Sequence, residues 1–279
     1  MDSSKSSDLR APSAGAFDSL KFADRIRFRG HRGGVISMHR ALARLVLGPL
    51  DLITAVLLVL LFSFVWCISL PWLCRVWRYA LVFGMRTLAL RSSLGLSEHH
   101  ITSYILFSVP YPRMEGVVPS AATWWWSAAI VVALFAFSFL FSEKFTPATY
   151  LLRAVLFVQT SALVYFLWAP ARFPHAPDSY MQGLMGYGIA LISFVPILFG
   201  LTYFIFDFGI ARKALLTAIT MIHLSIFLPL QILLQALVLE KSVLFMPLLY
   251  IVFGLPLDVM IIIAFYSWGM SWSHKLDNA

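Results

Sequence analysis

A carboxylate and an imidazole stand out in a chain otherwise poor in buried-type polar groups. Asp258 lies inside FGLPLDVMIII, residues 253–263, and His223 lies inside KALLTAITMIHLSIFLPLQILLQALVL, residues 213–239. An acid or a histidine in hydrocarbon is costly, so each needs a partner, a cavity or a conduction path. Histidine also titrates near neutral pH, which is the chemistry of proton transfer.

The surroundings of both groups are patterned. With His223 at zero on a helical wheel, Thr220 falls at about 60°, Gln231 at about 80°, and Thr217 and Gln235 near 120°. These five polar side chains occupy about a third of the circumference, so the stripe is expected to face other helices rather than lipid. Around Asp258, Tyr250, Gly254 and Pro247 fall on one face within about 80°. Pro256 removes a donor and is expected to free the carbonyl of Val252. Counted from the inner ends of their runs, His223 and Asp258 both lie about 15 Å deep. A His223–Asp258 pair across a helical hairpin is the resulting expectation, with Thr217, Thr220, Gln231, Gln235 and Tyr250 as its polar wall. Such a site serves either as a proton or ion site or as a clasp that fixes helix register.

Other polar groups carry blander readings. Arg153 shares a helix face with Tyr150, Thr160 and Ser161 and is placed to snorkel to an interface, while Gln159 lies on another face. Glu98, His99 and His100 lack metal-ligand spacing, and Arg172, His175 and Asp178 read as a solvated loop. No dinucleotide, P-loop or nucleophile-elbow motif occurs. The reading is therefore non-enzymatic, with no metal and no cofactor.

The elements that must hold these groups are transmembrane helices. The chain has 279 residues, 60% hydrophobic and 12% charged, which is too little charge for a soluble surface. Runs long enough to span a bilayer occur at 46–70, 122–142, 148–168, 181–206, 213–238 and 243–268. The fold expected is an all-α integral membrane protein: a six-helix transmembrane bundle, an interfacial amphipathic helix, and an extended loop between spans 1 and 2. Short links make successive spans antiparallel neighbours. Cys67 and Cys74, seven apart in one apolar run, are too far apart to bridge each other.

The divisions follow. Residues 1–44 form a disordered, basic cytoplasmic arm, 45–70 the first span, 71–121 the interfacial helix and loop, and 122–279 a five-helix core with a short tail. The net charge of +8 is concentrated in the arm and between spans, so it points to anionic lipid and not to nucleic acid. Arg25, Arg27, Arg29 and Arg32 in the arm, and Arg75, Arg78 and Arg86 opposite Trp77, Leu81 and Leu88, are the expected lipid-interface residues. Lys and Arg in the short loops place both termini in the cytoplasm, and the compact loops suggest a bacterial inner membrane. Two functions fit: an accessory or assembly subunit of an envelope membrane complex, partnered by other subunits or a second copy, and a small proton- or ion-coupled transporter working at His223 and Asp258.

Overall fold

The computed structural model describes residues 49–102, 105–141, 145–170, 173, 176–203 and 209–272. The arm with Arg25, Arg27, Arg29 and Arg32 lies outside them, as do Lys144, Arg172, His175, Lys275 and the side chains of His99 and His100. Five helices among the described residues are long and apolar enough to cross a membrane.

The first helix, α1, runs Pro49–Thr87 for 39 residues with Pro71 inside it. At 1.5 Å per residue it is about 58 Å long, well beyond the ~30 Å of a hydrocarbon core. The first span and the expected interfacial helix are therefore one element. A proline removes one hydrogen bond, and packing across it carries the helix on. Trp66, Leu70, Cys74, Trp77, Leu81 and Met85 form one buried stripe on both sides of Pro71. Trp66 Nε1 donates to Ser193 Oγ at 2.7 Å, and Trp77 Nε1 donates to the Ser225 carbonyl at 2.7 Å. Arg75, Arg78 and Arg86 are exposed on the far side, as the wheel requires, but Leu88 lies beyond the helix end and is exposed. Cys67 and Cys74 are free thiols.

The expected extended loop is an antiparallel hairpin, β1 (Ser93–Thr102) and β2 (Ile105–Arg113). Phe107, Val109 and Tyr111 alternate inward and are buried against α1 and a later helix, α4 (Pro177–Thr202). Pro110 and Pro112 oppose Leu96 and Leu94. They are two apart, so both donor-less nitrogens face away from β1, which a two-stranded sheet tolerates. Gly95 pairs with Tyr111, and a Cβ there would lie 2.6 Å from Tyr111 Cζ. The ring thus lies across the bare glycine. Gly95→Val should cost about 1–3 kcal/mol by displacing this buried ring. Faster proteolysis within 93–113 checks it; unchanged protection would show that the ring has room elsewhere.

Helix α2 (Ala121–Phe137) has 17 residues, about 25 Å, and stops short of the apolar run that extends to 142. Ser120 caps its start by accepting from the Thr123 N–H at 3.1 Å. Its end is held by Arg153 of α3 (Thr146–Trp168), whose Nε donates to Ser138 Oγ at 3.2 Å and whose guanidinium sits 4.6 Å over the Phe139 ring. Arg153 thus serves a helix C-terminus, where a cation is favoured. Trp124 Nε1 donates to the Leu163 carbonyl and Gln159 Nε2 to Ser127 Oγ, joining α2 to α3. Thr160 and Ser161 bond carbonyls of their own helix, and Tyr150 is exposed.

Helix α5 (Ile210–Leu239) is the central element. Three of its leucines seat against glycines of three neighbours: Leu233 against Gly84 of α1, Leu228 against Gly188 of α4, and Leu216 against Gly269 of α7 (Leu255–Ser271). Each glycine lets its helix approach closely. A short 3-10 turn, Val243–Phe245, leads into α6 (Met246–Phe253) and then α7. Sequential helices are not always partners: α3 packs on α2 and on α6 rather than on α4.

Candidate functional site

The sixth expected span is broken in its middle. α6 ends at Phe253, α7 begins at Leu255, and Gly254 between them is extended, with φ −94° and ψ −154°. A Cβ at Gly254 would lie 2.2 Å from the Tyr250 carbonyl oxygen, so only glycine fits the break. Pro256 sits in the first turn of α7, where its missing N–H costs nothing. Asp258 occupies the same first turn. The acid two residues after a proline is thus a helix N-terminal acid, at the end whose dipole favours negative charge.

The break leaves a carbonyl without a helical partner, and α5 supplies two. The side-chain amides of Gln231 and Gln235 both donate to the Phe253 carbonyl, Gln235 at 2.6 Å. The Tyr180 hydroxyl of α4 donates to Gln235 Oε1 at 2.5 Å. Gln231 also reaches the Asp258 carboxyl. Its own Oε1, fully buried, has no hydrogen-bond partner. Asp258 is 4% exposed, and no basic group pairs with it among the described residues. Beside it lies a cavity of about 170 Å³ lined by Ser179, Tyr180, Tyr187, Tyr250, Leu255 and Asp258.

This grouping divides the expected site. Asp258, Gln231, Gln235 and Tyr250 come together. His223 does not join them. It is exposed, with its ring 5.1 Å from Phe265 and 5.9 Å from Phe227. Phe265 is seven residues past Asp258, about 10 Å along α7, so the expected His223–Asp258 pair is corrected. Two errors combined. His223 sits at the edge of the polar stripe, about 120° from the centre of the buried face of α5. Equal counting from run ends also misjudged how α7 slides along α5. Thr217 and Thr220 are buried but bond locally, to the Lys213 and Leu216 carbonyls, with Tyr203 Oη also on Thr217. The freed carbonyl is that of Phe253 rather than Val252.

Sequence reasoning missed Tyr180. Starting the span at 181 left it in a loop, although Pro177 is a first-turn proline that opens the helix earlier.

No protein-family model, no curated protein and no solved structure matches this chain. The site therefore has to be read from its own geometry.

Proposed function

We propose that this chain is a small ion- or proton-coupled membrane carrier whose binding group is Asp258. One observation carries the reading: a helix interrupted at mid-span sets a buried carboxyl, with no basic partner among the described residues, in the first turn of its second half, beside a cavity. Broken helices in carriers expose helix ends and carbonyls to solutes in this way. A carboxyl used only for packing gains most from a basic partner or full hydrogen bonding, and among the described residues Asp258 has one amide, that of Gln231, on it. We take α2 as a sixth crossing, because turn bonds to Phe139 and Leu140 lengthen it beyond Phe137. The basic residues between Lys21 and Arg44 and the Lys and Arg of the short loops support cytoplasmic termini, and the compact loops suit a bacterial inner membrane.

The accessory-subunit reading has its own observation, an apolar groove of about 850 Å³ between α1 and α5, lined by Trp66, Trp72, Phe83, Ile226 and Leu233 among others. A partner helix from another subunit or a second copy would fill it. Neither reading includes catalysis.

One assay separates them. In proteoliposomes with an internal pH dye, the carrier reading expects proton flux that falls at least tenfold in Asp258→Asn and stays within twofold in His223→Gln. Absence of flux from the wild-type protein, with Asp258→Asn changing only thermal stability, would favour the accessory subunit. Loss of flux in His223→Gln would return the proton path to the histidine.

A further inference from the structure

We propose that the cavity beside Asp258 binds a small alkylammonium group, of the trimethylammonium type. This rests on the carrier reading and adds its substrate class.

The walls are the argument. Tyr180 and Tyr250 stand with ring centroids 6.4 Å apart and planes at 57°, so they form a corner rather than a stack. Tyr187, 61% exposed, stands at the mouth, and Asp258 is the one carboxylate among the lining side chains. Aromatic rings around a cation, with an acid at the base, suit a quaternary ammonium: the rings attract the diffuse charge and tolerate its methyl groups. The polar atoms nearby suit a bare metal ion poorly. A hard divalent cation takes six or more oxygens. Here the Phe253 carbonyl already accepts two amides and Gln235 Oε1 accepts Tyr180, which leaves Gln231 Oε1 and the Asp258 carboxyl, fewer oxygens than such an ion needs. The size agrees. A cavity of about 170 Å³ has room for the five heavy atoms of tetramethylammonium.

The wall also contains Gly183 of α4. A Cβ there would meet nothing nearer than Tyr187 Cε2 at 3.8 Å, so a side chain at 183 enters open space without straining the fold. Gly188, also in the wall, differs: its Cβ would strike Leu228. Position 183 can thus block the cavity while the bundle stays intact.

The ammonium could arrive as a free solute or as a lipid headgroup. Full-length protein in phosphatidylglycerol nanodiscs, which carry no ammonium, is titrated with radiolabelled tetramethylammonium by equilibrium dialysis. Saturable binding is expected in the wild type. It should be lost in Asp258→Asn and Gly183→Leu and be about tenfold weaker in Tyr250→Leu, with Gly183→Leu keeping the wild-type melting temperature. Repeating the titration in phosphatidylcholine nanodiscs separates the sources: competition identifies the headgroup, and unchanged binding identifies a free solute. Absence of saturable binding by the wild type, or binding unchanged in folded Gly183→Leu, overturns the proposal. Proton flux that depends on Asp258, together with no tetramethylammonium binding, would leave the carrier reading standing and remove this substrate class. Binding without flux would do the reverse.

Discussion

Gly254→Ala should destabilise the bundle by about 2–5 kcal/mol, combining overpacking with a buried carbonyl left bare. The added Cβ would stand 2.2 Å from the Tyr250 oxygen, against an ordinary contact of 3.4 Å or more. That oxygen is helical backbone and cannot rotate away as a side chain does. The last turn of α6 must therefore move, and the Phe253 carbonyl moves with it, off Gln231 and Gln235. A loss of this size corresponds to a melting-temperature drop on the order of 10 °C. Thermal unfolding in detergent measures it, and Gly269→Ala is the control. There the obstacle is only the Leu216 side chain, which can swing, so the drop should be smaller. A melting temperature for Gly254→Ala within a degree of wild type would mean that the break does not depend on glycine.

Removing both glutamines should cost more than the two single losses added together. Two amides share one acceptor, the Phe253 carbonyl. Gln231→Leu leaves Gln235 in place and removes the unpartnered Gln231 Oε1, but it also takes the amide away from the buried Asp258 carboxyl, so it should cost about 1–2 kcal/mol. Gln235→Leu also strips the Tyr180 hydroxyl of its acceptor and should cost about 1–2 kcal/mol. The double variant leaves the carbonyl bare in a low-dielectric interior, adding a further ~1–2 kcal/mol of coupling. Equilibrium unfolding of the four proteins in bicelles closes the cycle. Additivity within ~0.5 kcal/mol would show that the two amides do not serve one acceptor.

Membrane class, helical content and the polar face of α5 were legible in the residues alone. Composition sets the class, and a 3.6-residue period sets angles about a helix's own axis. The burial of Thr217, Thr220, Gln231 and Gln235 and the exposure of Arg75, Arg78 and Arg86 follow from that period. The apolar run reads as ending at residue 70, while the stripe from Trp66 to Met85 packs straight through Pro71. The hairpin was half-visible, since SYILFSV has strand composition but its pairing with residues 93–102 is non-local.

Only the tertiary structure decided which polar groups meet. Angular position says nothing about how far one helix slides along another, and seven residues of slide move a partner about 10 Å. That slide is set where leucines of α5 lock against Gly84, Gly188 and Gly269 on three different helices. Those contacts place Phe265 beside His223 and Gln231 beside Asp258. They turn an expected acid–histidine pair into an acid beside a glutamine-capped helix break, with a tyrosine-walled cavity next to it.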